Sequence, residues 1–180
     1  MFTTPDGVFR VLSPSGLEEW EAVADSALWR ELQEEGRVVA TAPADLDALP
    51  ELLAGEAAGA LRHEPVPFVS YPYEWPFSML KDAALLQLEL NRRALGADLA
   101  LKDASPYNVQ WRGTRPLFID VGSFERLRAD EPWPGYRQFC MLFLYPLMLQ
   151  AYKNLSFHAA LRGSMAVDNT VIGQFPPPPV

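Results

Sequence analysis

The stretch Leu99–Glu125, LALKDASPYNVQWRGTRPLFIDVGSFE, constrains the fold more than any other part of this 180-residue chain. Val109 to Trp111 and Pro116 to Val121 are β-prone runs on either side of the turn-forming Arg112-Gly113-Thr114-Arg115, and together they predict a β-hairpin. Folding back about Gly113-Thr114 sets residue 108 across from residue 119 or 120. Cross-strand neighbours have Cα atoms about 4.5–5.5 Å apart. Asn108 and Asp120 then offer oxygen ligands at one end of the hairpin, and Asp103 approaches on the preceding loop. Two carboxylates and an amide oxygen meeting at one point suit a hard divalent cation such as Mg²⁺. The same three residues also suit a structural role, as a loop carboxylate, an Asx-turn Asn and a strand-end Asp capping local amides.

Length and composition set the frame for this stretch. The chain fits one domain, or one unit of two unequal lobes, and its 49% hydrophobic share is ample for a core. A net charge of −8 argues against a broad footprint for nucleic acid or an anionic membrane. Cys140 is the single cysteine, so no disulfide forms within the chain; with only His63 and His158 besides, a structural zinc site is close to excluded. MFTTPDGVFR has no basic start followed by an apolar run, which makes a reducing, cytoplasmic compartment the expectation.

Ahead of the central stretch, Gly7 to Leu12 reads as a short strand. A helix over about Leu17–Glu34 follows, capped by Ser13 or Ser15, with Glu18 and Glu19 in its first turn and Trp20, Val23, Leu28 and Leu32 on its buried face. Gly36 ends it, Arg37 to Thr41 is a second strand, and Pro43 to Gly59 holds short helical turns. Val66 to Tyr71 predicts an extended buried strand, and Pro72 and Pro76 break regular structure around Tyr73-Glu74-Trp75. No GxGxxG, GxxxxGK[ST] or glycine-rich methyltransferase loop occurs anywhere.

Phe77 to Leu95 is a helix that stops at Gly96; it is apolar over more than one face and delivers the chain into the central stretch. After the hairpin, Ser123 to Glu131 reads as polar loop. Trp133 to Leu155 is an apolar helical run that Arg137, Gln138 and Pro146 interrupt, so a core helix kinked at Pro146 is favoured over a membrane span. Gly163 to Val180 closes on Pro176–Pro179 as a polyproline-II-like tail.

Leu101-Lys102-Asp103-Ala104-Ser105-Pro106-Tyr107-Asn108 resembles the catalytic loop of kinase-like phosphotransferases, in which Asp and Asn are separated by four residues. It looks closest to the RIO and aminoglycoside-phosphotransferase branch. Phe118-Ile119-Asp120-Val121-Gly122 resembles the metal-binding Asp segment that follows in that fold. The resemblance implies a reduced protein-kinase-like α+β fold with a small N-terminal lobe of short strands (1–70), a hinge (71–76), a mainly helical C-terminal lobe (77–162) and a tail (163–180). It implies ATP and Mg²⁺ as cofactors: Asp103 orients or deprotonates an acceptor hydroxyl, Asn108 and Asp120 hold the metal on the nucleotide phosphates, and Lys102 assists on the phosphate side. Tyr73 and Glu74, in the hinge, contact the nucleotide.

The chain departs from that pattern at two places. Leu101 and Lys102 stand where the His before the catalytic Asp is usual, and residues 1–80 contain no Lys to pair with the phosphates. Arg10 or Arg37, on predicted strands, would have to substitute, with Glu31, Glu34 or Glu35 as a helix partner. More broadly, SYPYEWPFSMLKDAALLQL, LKDASPYNVQ and PWPGYRQFCMLFLYPL look like the N-terminal half of larger bacterial proteins that carry an S-adenosylmethionine-dependent methyltransferase domain after it. That implies a second role: a non-catalytic accessory module of a methyltransferase domain or chain.

Overall fold

A computed structural model describes residues 1–4, 7–46, 57–128 and 131–162. The 163–180 tail, and most of the helical turns expected after Pro43, lie outside the described residues. The fold is mixed α+β. β1 (Phe2–Thr4), β2 (Gly7–Leu12), β3 (Thr41–Ala44) and β4 (Gly59–His63) form an antiparallel sheet in the order β1-β2-β4-β3. Between β2 and β3 the chain makes two helices, α1 (Pro14–Ala24) and α2 (Ala27–Glu34).

Where one helix was expected over 17–34, Ser26 splits it. Its hydroxyl accepts from Trp29 N–H at 3.1 Å and donates to the Val23 carbonyl at 2.6 Å, so one residue both closes α1 and caps α2. Ser13 caps α1 by accepting from Gly16 N–H, and because that helix begins at Pro14, Glu18 and Glu19 fall beyond its first turn. At the other end of α2, Gly36 adopts φ +65° and Arg37 N–H bonds back to the Leu32 carbonyl, a left-handed stop that glycine makes at no steric cost.

Arg37–Thr41 does not join the sheet as expected. Val39 N–H donates to the Phe118 carbonyl and Phe118 N–H to that of Arg37, tying this segment to the hairpin; the sheet strand begins only at Thr41. Val66–Tyr71 is likewise no buried strand: Phe68 is 77% exposed and Val69 55%. Pro65 and Pro67 cannot donate to a ladder, and the Ser70 backbone is held by the Gln110 side chain instead.

α3 (Phe77–Leu95) is the central helix. It buries Leu80, Ala83, Leu86, Leu90 and Ala94 on one face and leaves Leu85, Leu88 and Leu95 exposed on the other. Then come β5 (Leu99–Leu101), the hairpin strands β6 (Val109–Arg112) and β7 (Arg115–Phe118), and β8 (Phe124–Arg126), which pairs antiparallel with β5. The supposed polar loop from Ser123 therefore begins as a strand, with Phe124 buried between Trp29 and Phe118.

The long apolar run is helical from Tyr136 to Lys153, as α4 (Tyr136–Phe139), a π-turn over Cys140–Leu144 and α5 (Tyr145–Lys153). Pro146 has no N–H to give to the preceding turn, and the wide turn ahead of it absorbs the missing bond. α6 (His158–Arg162) follows. Among the described residues, no helix is long and apolar enough to cross a membrane.

Candidate functional site

The backbone around Asp103 is fastened from four directions. Two buried polar side chains of α3 reach it: Asn91 accepts from Leu101 N–H at 3.2 Å, and Gln87 donates to the Asp103 carbonyl at 3.0 Å. Trp133 Nε1–H donates to the Leu101 carbonyl at 2.6 Å, and Gln138 accepts from Ala104 N–H at 2.8 Å. Lys102 N–H is taken by the Ser123 carbonyl. A loop held this way keeps its carboxylate in one place without a metal, which is the condition for a preorganised site.

The hairpin brings the partners. β6 and β7 pair with Val109 opposite Phe118 and Arg112 opposite Arg115, and the turn is Gly113-Thr114 with Gly113 at φ +62°. Asn108 therefore lies across from Ile119, whose N–H donates to the Asn108 carbonyl at 2.8 Å. Asn108 Nδ2 donates to Asp103 Oδ1 at 2.8 Å, which leaves its amide oxygen turned away from that carboxylate. Asp120 is joined to the pair through Ser123, whose hydroxyl lies 2.6 Å from Asp103 Oδ1 and 3.0 Å from Asp120 Oδ2.

One hydroxyl carries one proton. Given to Asp103 across the shorter contact, it leaves Asp120 Oδ2 facing a lone pair. The two carboxylates thus compete for the Ser123 proton, and a compensating charge for Asp120 comes from the small sheet. Arg10, on the inward face of β2 beside Leu12, forms an ion pair with Asp120 Oδ1. Gly122 makes room for it: a Cβ at that position would overlap Arg10 Nη1. Arg37, the other candidate, pairs with Glu89 on α3 instead. Glu31 and Glu35 both bind Arg93, and neither reaches Arg10.

Beside this centre lies a cavity of about 570 Å³ whose charged lining is Arg10, Lys102 and Arg128 with Glu19 and Glu125, and which Gly122 and the Ser13, Ser15 and Gly16 of the α1 start also border. His63 is placed on β4 at the inward face near Arg10. Burial, and the Arg10 cation after it, push its imidazole down to about 4, although Asp120 opposes the shift. It is neutral at ordinary pH. Among the described residues, no three His, Cys, Asp or Glu side chains gather into a metal cage. Mg²⁺ does not need one, because it is commonly held by one or two carboxylates with the remaining ligands from water and phosphate. Asp120 and Asn108 carry oxygen donors of the chemical kind that such a site uses.

No family model matches the chain. Among curated proteins it is similar to the nodulation protein NoeA of Rhizobium meliloti (strain 1021), with 36% identity over 165 residues. The similarity takes in 92% of this chain and 34% of that protein, so the chain spans about a third of its relative's length.

Of the residues expected to form the site, the fold brings Asp103, Asn108 and Asp120 together, and Lys102 lines the adjoining cavity. Tyr73 and Glu74 it puts elsewhere. Tyr73 stacks on Tyr71 at 5.3 Å between ring centroids and receives the Arg162 guanidinium on its face. Glu74 accepts from Tyr71 N–H at the end of a short 3₁₀ turn. The stretch linking the sheet to α3 runs from residue 64, where β4 has ended, to residue 76, and both residues lie at its far end. Ser123 was missed, although it is fully buried at the middle of the cluster. Its only signal in the sequence is its place directly after Asp120-Val121-Gly122.

Proposed function

We propose that this chain is a kinase-like, Mg²⁺–nucleotide-binding domain, either a phosphotransferase to a hydroxyl acceptor or a remnant of one. The observation that carries the reading is the meeting of Asp103, Asn108 and Asp120 around Ser123, with Arg10 entering from the opposing sheet. The topology supports it. In protein kinases a strand of the small lobe carries the phosphate-pairing Lys. Here the strand just before the helical pair carries Arg10, and it occupies the inner part of the sheet.

In that role Arg10 and Lys102 hold phosphate oxygens, and Asn108 and Asp120 hold Mg²⁺. The bound metal would neutralise charge on the phosphates. Asp103, whose Oδ1 is fixed by Asn108 and Ser123, keeps Oδ2 to orient an acceptor hydroxyl or take its proton. Arg cannot lose its charge and grips in a planar fork, so phosphate binding is retained in a different geometry from that of Lys.

Titration calorimetry with Mg²⁺-ATP tests this. Saturable, Mg²⁺-dependent binding that disappears in Asp120→Ala is expected; a folded sample with no binding at millimolar nucleotide would sink the reading. Mass spectrometry of candidate acceptors, with Asp103→Asn as control, then separates transferase from nucleotide sensor.

One observation favours a second reading. The relative is about three times as long as the matched region, which suits a module working beside a further domain. The earlier resemblance makes that domain a methyltransferase. Under this reading the exposed Tyr136, Leu144 and Tyr152 of the helical run, with Leu155 just beyond its end, supply the contact face, and the polar centre is structural.

A further inference from the structure

A cavity of about 510 Å³ opens in the helical part of the chain, and it shares no lining residue with the cavity beside Arg10. Its polar side chains come from two places: Ser105 and Tyr107 on the loop that follows Asp103, and Arg137 and Gln138 on α4. Their hydrogen bonds leave one kind of group unspent. Gln138 Oε1 accepts from Ala104 N–H at 2.8 Å; only the oxygen of an amide can meet an N–H, so both amide hydrogens are left over. Ser105 Oγ accepts from Tyr107 N–H at 3.2 Å, which keeps the Ser105 proton available. Tyr107 gives its own hydroxyl proton to the Leu161 carbonyl at 2.9 Å. Arg137 has no ion pair or side-chain hydrogen bond among the described residues.

What remains is a set of donors with one positive charge and no carboxylate, in a chain whose 23 acidic residues outnumber its 15 basic ones. Around it stand apolar walls, from Met141 and Leu142 of the π-turn and Leu161 of α6. A guanidinium presents two parallel N–H groups that match the two oxygens of a carboxylate. One cation balances one negative charge, so a phosphate dianion would keep a charge uncompensated beside apolar walls. An ammonium group would meet donors alone. The volume is that of a small-molecule site with apolar lining and a few placed polar groups.

We infer that this cavity binds a small monocarboxylate with an apolar body, gripped by Arg137 and read further by the Gln138 amide and the Ser105 hydroxyl. The inference does not depend on the nucleotide reading. The site is joined to the polar centre through Gln138, whose oxygen holds the N–H of the residue next to Asp103.

Magnetic resonance titration of the full chain with phenylpropionate, and with the amide and the amine of the same skeleton, tests it. The carboxylate is expected to bind about tenfold more tightly than the neutral amide, the size of one charge-assisted contact, and more tightly still than the amine. The methyl signals of Met141, Leu142 and Leu161 should move with it. Arg137 is exposed, so Arg137→Gln keeps the fold and should bring the carboxylate down to the level of the amide. In Gln138→Glu the side chain still accepts from Ala104 N–H but sets its own negative charge against the ligand's, and carboxylate binding should be lost. Equal binding of acid and amide, a preference that survives Arg137→Gln, or shifts confined to other methyl groups overturns the inference. So does absence of binding by all three at about 10 mM, a generous ceiling for a probe of this size. Mg²⁺-ATP, titrated into the same samples, keeps the two readings apart. A chain that selects the carboxylate but ignores Mg²⁺-ATP loses the nucleotide reading and keeps this one; a chain that binds Mg²⁺-ATP but treats acid and amide alike does the reverse.

Discussion

At the scale of single residues, the site turns on how one cation shares space with one glycine. Arg10 reaches Asp120 across the cleft only because Gly122 has no side chain; a Cβ there would occupy the place of the guanidinium. The guanidinium is the far end of a flexible side chain, so Gly122→Ala does not unfold the protein but turns Arg10 away from the carboxylate. The pair is part-buried, and its loss is expected to cost about 1 kcal/mol of stability. The effect on ligand should be larger. If Arg10 grips phosphate, Gly122→Ala lowers the affinity for Mg²⁺-ATP about tenfold or more, while adenosine, which has no phosphate, binds as before. Calorimetric titration of both compounds checks this, and an unchanged affinity for Mg²⁺-ATP would remove Arg10 from the phosphate site. Arg10 was visible in the sequence as a cation on a strand, equal in standing to Arg37. Nothing local distinguishes the two, because the difference is which carboxylate each meets after folding: Asp120 for one, Glu89 for the other.

Secondary-structure elements divide by whether their cause is local. α3 was legible because a 19-residue helix repeats its apolar face several times and ends on a glycine. The hairpin was legible because a two-residue turn fixes its own register. The split between α1 and α2 was hidden inside a continuous apolar period, although Ser26 carries it. Replacing Ser26 by Ala removes the cap on Trp29 N–H and the tie to Val23, and should cost about 1–2 kcal/mol. In a chain of this size that lowers Tm by several degrees. Ser15→Ala is the control: its hydroxyl meets the exposed Ser13 hydroxyl, and its loss should stay within about 0.5 kcal/mol. Thermal melts that rank the two the other way would show that Ser26 does not hold the joint. β8 and the Arg37–Val39 tie could not be read locally at all. Each is extended because of a partner far away in the chain, β5 for one and Phe118 for the other. The buried polar residues Gln87, Asn91 and Ser123 were hidden for the same reason, since a polar residue within an apolar run discloses its role only when its partner is known.

On the scale of the whole molecule, a small sheet and a helical part suggest two lobes, yet their cores are one. Leu12, Trp20, Leu28 and Leu32 of the first part belong to the same cluster of buried side chains as Leu80, Leu90, Phe118, Phe143 and Phe157 of the second. The backbone bonds of Arg37 and Val39 to Phe118 cross the same boundary, as do the ion pairs of Arg37 with Glu89 and of Arg93 with Glu31 and Glu35. The surface pairs add little on their own. The shared apolar contact is what couples the parts, since separating them would return Leu28, Leu32 and Val38 on one side and Phe118 on the other to water. Calorimetry of the chain should therefore give one transition, with van't Hoff and calorimetric enthalpies equal. A fragment beginning at Phe77 should remain unfolded, because it keeps the polar centre's Asp103, Asn108 and Asp120 but loses the wall behind Phe118. Two resolved transitions, or a cooperative melt from the fragment, would mean that the cleft between Arg10 and Asp120 can open without unfolding. A ligand would then close it by moving two bodies. With one transition, ligand enters a cleft whose walls are already fixed by the core, and added nucleotide raises a single Tm in proportion to the logarithm of its concentration.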